Sequence, residues 1–198
     1  MKKFYKIKFD TKGGMNIVVD IYSTDRKYNI IYADPPWKYN TWRDGEGTAE
    51  KHYPTMKVEE IVNMKDTIKK ISEKDCILFL WVTFPCLLDG IRVIKEWGFR
   101  YKTCGFNWIK RNKVSDTWFF GLGHWTRANS EICLLATKGT IKRKSNKVSQ
   151  IIDTHIEEHS KKPSIVRDKI IELVGDLPRI ELFARQTAQG WDSWGNEV

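Results

Sequence analysis

The sequence predicts an α/β domain built on a mostly parallel sheet with helices on both faces. Strand-like and helix-like segments alternate along the chain. Its central strand-like segments are apolar almost throughout, as strands buried on both faces are. The 198 residues, 41% hydrophobic and 30% charged, suit one domain with a sizeable core.

Phe4 to Phe9 alternates apolar and basic residues, Lys12-Gly13-Gly14 supplies a turn, and Asn16 to Tyr22 is β-branched. Residues 1–28 are therefore read as a β extension of the same domain whose body is 29–198. Tyr28 to Ala33 is a nearly continuous apolar run, a buried strand that stops at Asp34-Pro35-Pro36. After a polar stretch from Tyr39 to Thr55, apolar residues at 58, 61, 62, 64, 68 and 71 predict one helix over Val58 to Ile71. Cys76 to Val82 reads as a second buried strand, and Leu87 to Trp97 as a helix closed by Gly98. Tyr101 to Ile109 and Ile132 to Thr137 are further strands. Lys138 to Lys147 is basic and aperiodic, which predicts a mobile surface loop. Ser164 to Val174, between Pro163 and Gly175, predicts the last helix, and Arg179 to Phe183 the last strand.

Thirty-four Lys and Arg against 25 Asp and Glu give a net charge of +9, which favours a polyanionic partner. Aromatic residues reach 13%, with nine Trp, enough to fill a core and leave some as stacking surfaces for bases. The four cysteines (Cys76, Cys86, Cys104, Cys133) are widely spaced, so no metal site and no disulfide framework is expected. Met1-Lys2-Lys3 leads into no apolar signal core, and no run approaches about 18 apolar residues. The expectation is a cytoplasmic protein with no membrane partner.

Asp34-Pro35-Pro36-Trp37 directly follows the strand Ile30 to Ala33, where α/β sheets carry their chemistry. Two prolines remove two backbone donors and fix φ, giving a stiff turn with outward carbonyls. A carboxylate, fixed carbonyl acceptors and an aromatic face suit an exocyclic amine, whose lone pair is delocalised into its ring. Asp34 and the Pro35 carbonyl would each accept one N–H, turning the lone pair toward a methyl sulfonium held in line. Trp37 would stack on the base, worth roughly 1–3 kcal/mol. The alternative is a rigid strand-ending turn with a packed Trp. The basic residues Lys142, Arg143 and Lys144 are read as a phosphate grip on the same side as this turn, with Lys110, Arg111 and Lys113 as a second patch. Gly121 to Arg127 suits a loop near substrate, with Arg127 as a contact. Trp81 and Trp108 are read as core residues.

These motifs resemble the MT-A70 family of N6-adenine methyltransferases, over roughly Asn29 to Val198. Its landmarks follow in order: Ala33 to Trp37, Tyr53-Pro54-Thr55-Met56, Leu80-Trp81-Val82-Thr83, Asn107-Trp108-Ile109-Lys110 and Gly121 to Arg127. His159 to Pro163, Glu181 to Arg185, and Trp191 with Gly195-Asn196-Glu197 close the series. The resemblance implies a Rossmann-like, S-adenosylmethionine (SAM)-dependent methyltransferase fold with permuted motif order: catalytic motif early, SAM-site strand (Arg179 to Phe183) late. It implies catalysis by Asp34, Pro35, Pro36 and Trp37. It further implies SAM binding by Asp34, Lys162, Arg185, Asn196 and Glu197, and a gate at Tyr53 over cofactor and base. No glycine fingerprint follows the late strand; Ala184-Arg185-Gln186-Thr187 stands there.

Because compact family members are the nearest in form, DNA is favoured over RNA as substrate. A homodimer or a related partner subunit is a further implication. Two other readings stand beside this one: a non-catalytic nucleic-acid-binding partner subunit, and cytosine N4 methylation, whose enzymes more often carry Ser in place of the leading Asp.

Overall fold

The apolar runs assemble into one nine-stranded sheet, seen in a computed structural model that describes residues 6–9, 15–38, 55–123, 125–158 and 160–198. In chain order these are β1 (Lys6–Phe9), β2 (Met15–Val18), β3 (Tyr28–Ala33), α1 (Val58–Asn63), α2 (Lys65–Ile71) and β4 (Ser72–Val82). There follow α3 (Leu87–Glu96), β5 (Arg100–Arg111), β6 (Ser130–Lys138), β7 (Ile151–His155), α4 (Ile165–Val174), β8 (Arg179–Leu182) and β9 (Asp192–Trp194). Across the sheet the order is β1-β2-β9-β8-β3-β4-β6-β5-β7. Only β1 and β6 run against the shared direction.

Helices cover both faces because the central strands are apolar on both. On one side Ile31, Ala33, Leu78 and Leu80 pack against Ile61, Ile68, Val93 and Ile94 of α1, α2 and α3. On the other, Ile30, Tyr32, Phe79 and Trp81 pack against Val166, Ile170 and Val174 of α4. Arg167 of α4 also forks onto Glu181 of β8 at 2.6 and 3.0 Å, so a buried charge is paired where the helix crosses the sheet.

The predicted helix over Val58 to Ile71 is two helices that meet at Met64. The Met64 N–H bonds to the Ile61 carbonyl at 3.2 Å, a tight final turn, and Met64 then accepts from Ile68 at 2.9 Å. Ile61 and Val62 of α1 are buried, as are Ile68 and Ile71 of α2. β7 and β9 are strands that periodicity does not reveal, being five and three residues long. β9 matters most, because β2 pairs with it at Val18↔Ser193 and so joins the N-terminal strands to the sheet.

Strand order sets where a ligand can sit. From β3 the chain moves to β4 on one side, while β8 lies on the other and leads outward to β9. The order reverses between β3 and β8, so a crevice opens at their carboxyl ends. Asp34 and Phe183 are the first residues past those ends.

The antiparallel direction of β6 corrects one expectation. Lys138, its last residue, pairs with Cys76 near the start of β4, so the basic loop leaves the sheet at the amino ends of the parallel strands. Lys142, Arg143 and Lys144 therefore lie at the edge opposite Asp34. Nor does this loop hang free. The Thr140 N–H bonds Asp75 Oδ1 at 2.6 Å, the Lys144 N–H bonds the Leu173 carbonyl at 2.8 Å, and Ile141 and Val148 pack on the core.

Gly90 lets α3 lie close on β4, since a Cβ there would stand 2.5 Å from Val82 Cγ1. Gly90→Ala gains helix propensity of about 1 kcal/mol but overpacks a buried contact, which costs about 1–3 kcal/mol. We expect a net loss of about 1 kcal/mol in urea unfolding. Val82→Ala should cost less in that background than in the wild type; strict additivity of the two would show that this contact is not tight.

Candidate active site

Asp34 stands at the carboxyl end of β3, held by its N–H on the Leu182 carbonyl of β8 at 3.4 Å. The turn that follows is fixed by backbone bonds as well as by its prolines. The Trp37 N–H bonds the Pro35 carbonyl at 2.8 Å, and the Met56 N–H bonds the Pro36 carbonyl at 2.8 Å. These bonds correct the expectation of outward carbonyls that the chain itself leaves unpaired. A carbonyl has two lone pairs, so Pro35 keeps one for a further donor.

Trp37 is also placed differently from the open stacking platform expected. It is 5% exposed, belongs to the core, and donates its indole N–H to the Trp81 carbonyl at 2.9 Å. Trp81 in turn donates to the Tyr32 hydroxyl at 2.7 Å. The motif's tryptophan anchors the turn to β4, and its alternation of apolar ring and polar N–H suits that buried role. Trp81 and Trp108 are core residues as expected, 1% and 2% exposed.

A charge cluster surrounds Asp34. Lys162 Nζ stands 2.8 Å from Asp34 Oδ2 and 3.2 Å from Glu131 Oε2, and Glu131 Oε1 also binds Lys110. Glu131, on β6, carries no motif signal in the sequence and stands just before the run Ile132 to Thr137 that reads as a strand. Burial would raise its carboxyl, but the Lys162 and Lys110 ammoniums outweigh burial and hold it down at about 2. Burial likewise would lower Lys162, and Asp34 and Glu131 overcome it, so the ammonium stays charged. For Asp34 burial prevails over the attraction of Lys162 and pushes the carboxyl up. Its side chain keeps 24% of its accessible surface, and among the described residues Oδ1 takes no hydrogen bond. One oxygen is thus held by a cation and the other is open to a donor.

β8 and β9 deliver the remaining candidates to the same edge. Phe183 turns the chain out of β8 at φ 61°, in the left-handed region that a bulky residue enters only when its surroundings force it. It packs edge-on against Trp194 of β9, with ring centroids 5.3 Å apart. Beyond the two strands, Arg185 Nε binds Glu197 Oε1 at 2.9 Å. Gly195 lies so close on the backbone of Ala184 that any Cβ would strike it. The two loops therefore form a shallow cradle beside Asp34, with a carboxylate at Glu197, an amide at exposed Asn196 and a guanidinium at Arg185. A carboxylate accepts from two vicinal hydroxyls, so this donor and acceptor set fits a nucleoside with free ribose hydroxyls.

Two expected substrate contacts are committed elsewhere. Lys110 is paired with Glu131 and stands 4.9 Å over the Trp108 ring, which leaves it no free charge for phosphate. Arg111 is forked onto Asp153 at 2.6 and 2.6 Å. Arg127 lies on an exposed hairpin between β5 and β6, its Nη2 on the Phe120 carbonyl at 3.0 Å. Tyr53 lies outside the described residues. Among the described residues no group of three or more His, Cys, Asp or Glu is placed to hold a metal, and no helix is long and apolar enough to cross a membrane.

Comparison with known proteins shows the family. The sequence profile of the MT-A70 family matches residues 28–197. The Type II methyltransferase M.MunI of Mycoplasma sp is 35% identical over 192 residues, covering 87% of this chain and 78% of that protein. An N(6)-adenosine-methyltransferase MT-A70-like protein of Arabidopsis thaliana is 28% identical over 174 residues, covering 86% of this chain and 24% of that protein. The N(6)-adenine-specific methyltransferase METTL4 of Mus musculus is 26% identical over 201 residues, covering 87% of this chain and 38% of that protein. The chain thus spans most of the bacterial relative and about a quarter to two fifths of these two eukaryotic ones.

Glu131→Ala should destabilise the fold by about 2–4 kcal/mol in urea unfolding at neutral pH, because it leaves Lys110 unpaired in a largely buried place. Glu131 is held below its ordinary carboxylate range, so its contribution is present above about pH 4 and is lost as pH falls toward about 2. The gap between wild type and variant should therefore close on acidification. A gap that is constant with pH would show that the cluster contributes through packing alone.

Proposed function

The chain belongs to the MT-A70 family, and from that premise we propose that it transfers a methyl group from SAM to the N6 amino group of adenine in DNA. Asp34 carries this reading: a carboxylate at the topological switch point, one oxygen on Lys162 and the other open. The cradle of Gly195, Asn196, Glu197 and Arg185 fits the nucleoside half of SAM. Lys162 reaches the methionine carboxylate only by giving up one of its present partners, Asp34, Glu131 or the Ser160 carbonyl.

When bound, SAM supplies an electrophilic methyl group on a sulfonium. Asp34 Oδ1 accepts one N–H of the adenine amine, and the free lone pair of the Pro35 carbonyl accepts the other. Together they draw the nitrogen out of conjugation with the ring, so its lone pair becomes available to the methyl carbon. Lys162 keeps Asp34 in place and favours its charged form. Trp37, through Trp81 and Tyr32, keeps the turn from shifting when the base arrives. The surplus proton leaves the methylated nitrogen for water, and no strong general base is required.

DNA is favoured because the match covers 78% of the Type II methyltransferase but only 24% of the protein named for adenosine. The scaffold reading, a non-catalytic partner subunit, is disfavoured by the intact Asp34 to Trp37 turn with its open Oδ1.

Asp34→Asn should lower the methyl-transfer rate by at least about a hundredfold, well beyond any accompanying loss of calorimetric SAM affinity. Transfer near the wild-type rate would remove Asp34 from the chemistry. Because burial pushes the Asp34 carboxyl up, the acid limb of kcat/KM should lie above the ordinary carboxylate range of about 4. Lys162→Met removes the opposing cation and should move that limb to higher pH; an unmoved limb would show that it reports another group.

A further inference from the structure

Between β5 and β6 the chain makes a hairpin-like excursion, described over residues 112–123 and 125–129, with two antiparallel closures at Arg111↔Trp118 and Gly121↔Ala128, and it leaves the sheet at the edge where Asp34 lies. Its root is part of the charge cluster: Lys110 and Glu131 flank it, and Glu131 leads through Lys162 to Asp34. Five of the eleven large apolar side chains exposed on the described surface fall in this one hairpin: Val114, Trp118, Phe120, Leu122 and Trp125. Scattered exposure is ordinary, but such clustering marks a contact surface.

The hairpin is built to hold its tip out. Arg111 is pinned by Asp153 and stacks on Trp118 at 4.5 Å, and the Gly121 N–H bonds the Ala128 carbonyl at 2.8 Å. Gly123 approaches the Thr126 carbonyl so closely that a Cβ there would strike it. Leu122 is 78% and Trp125 100% exposed there. Lys113, in the preceding turn between Asn112 and Thr117, and Arg127, two residues past Trp125, have no ion pair among the described residues, and Asp116 is the one acid of the excursion.

Apolar tip, unpaired cations and nearness to the reactive carboxylate fit one occupant, a nucleic-acid duplex. An adenine amine inside a duplex is out of reach of Asp34, so the base must leave the stack. The motif's own Trp37 is buried and cannot fill the gap that base leaves. We propose that Leu122 and Trp125 enter the stack of double-stranded DNA beside the target adenine, while Lys113 and Arg127 hold the flanking phosphates. This wedge rests on the reading of the chain as a DNA adenine methyltransferase.

The test compares wild type with the double variant Leu122→Ser, Trp125→Ser on the same oligonucleotide, single-stranded and duplex, following both methyl transfer and binding. The substituted side chains are exposed, so folding should be unaffected. The variant should lose at least about tenfold in kcat/KM on duplex and stay within about twofold on the single strand. Equal losses on both would overturn the wedge in favour of a plain affinity surface. A wild-type dimer that the variant dissolves would overturn it in favour of contact between copies. A fluorescent adenine analogue at the target position reads base opening without transfer. If wild type transfers to no adenine, the catalytic reading fails, and the wedge still stands or falls on this signal. A rise on binding that the variant lacks supports it; the same rise in both overturns it.

Discussion

The largely buried ammonium of Lys162 between the carboxylates of Asp34 and Glu131 is the interaction on which the reactive edge depends. Unit charges about 3 Å apart attract by roughly 5 kcal/mol at an effective dielectric near 20. Desolvation costs several kcal/mol per buried ion, so the cluster adds little net stability. Its value is positional. Lys162 comes from the segment before α4, Asp34 from β3 and Glu131 from β6, and these are far apart in sequence. The cluster fixes all three at one point, where the strand order reverses and a crevice must open.

Around that point the fold divides its labour by strand. β3 brings the carboxylate and the proline-fixed carbonyl. β4 supplies the Trp81 carbonyl that anchors Trp37, and with it the rigidity of the turn. β8 and β9 bring the cradle of Arg185, Gly195, Asn196 and Glu197, held together by the close backbone approach of Ala184 and Gly195. β5 and β6 extend past the sheet as the hairpin. Everything assigned to chemistry thus lies past the carboxyl ends of the parallel strands, or at the amino end of the antiparallel β6, which is the same edge.

That last geometry explains what the sequence made legible and what it did not. The central strands, the helices α3 and α4, and the Asp34 turn were readable because each is written locally, in an apolar run, a stripe or a dipeptide of prolines. The break at Met64 was not, since no Gly or Pro marks it and the apolar spacing from Val58 to Ile71 runs through it unbroken. The direction of β6 was invisible for a like reason: an apolar run reads the same for parallel and antiparallel pairing. Reading it as parallel put Lys142, Arg143 and Lys144 on the wrong edge. Trp37 and Lys110 show a second limit. Residue type predicts that an indole can stack and an ammonium can bind phosphate, but tertiary partners, the Trp81 carbonyl and Glu131, had already claimed them. Glu131 itself stood in no motif and emerged only when pairing with β5 brought it beside Lys110.

The central claim is that Asp34 and its neighbours methylate the adenine N6 amine, and product identity tests it most directly. The purified chain would be incubated with methyl-labelled SAM and matched DNA and RNA, the nucleic acids digested, and the labelled nucleoside identified by mass. The account predicts label in N6-methyldeoxyadenosine from the DNA pool. Label in N4-methylcytosine, or SAM binding with no label in either pool over a broad set of sequences, would contradict it.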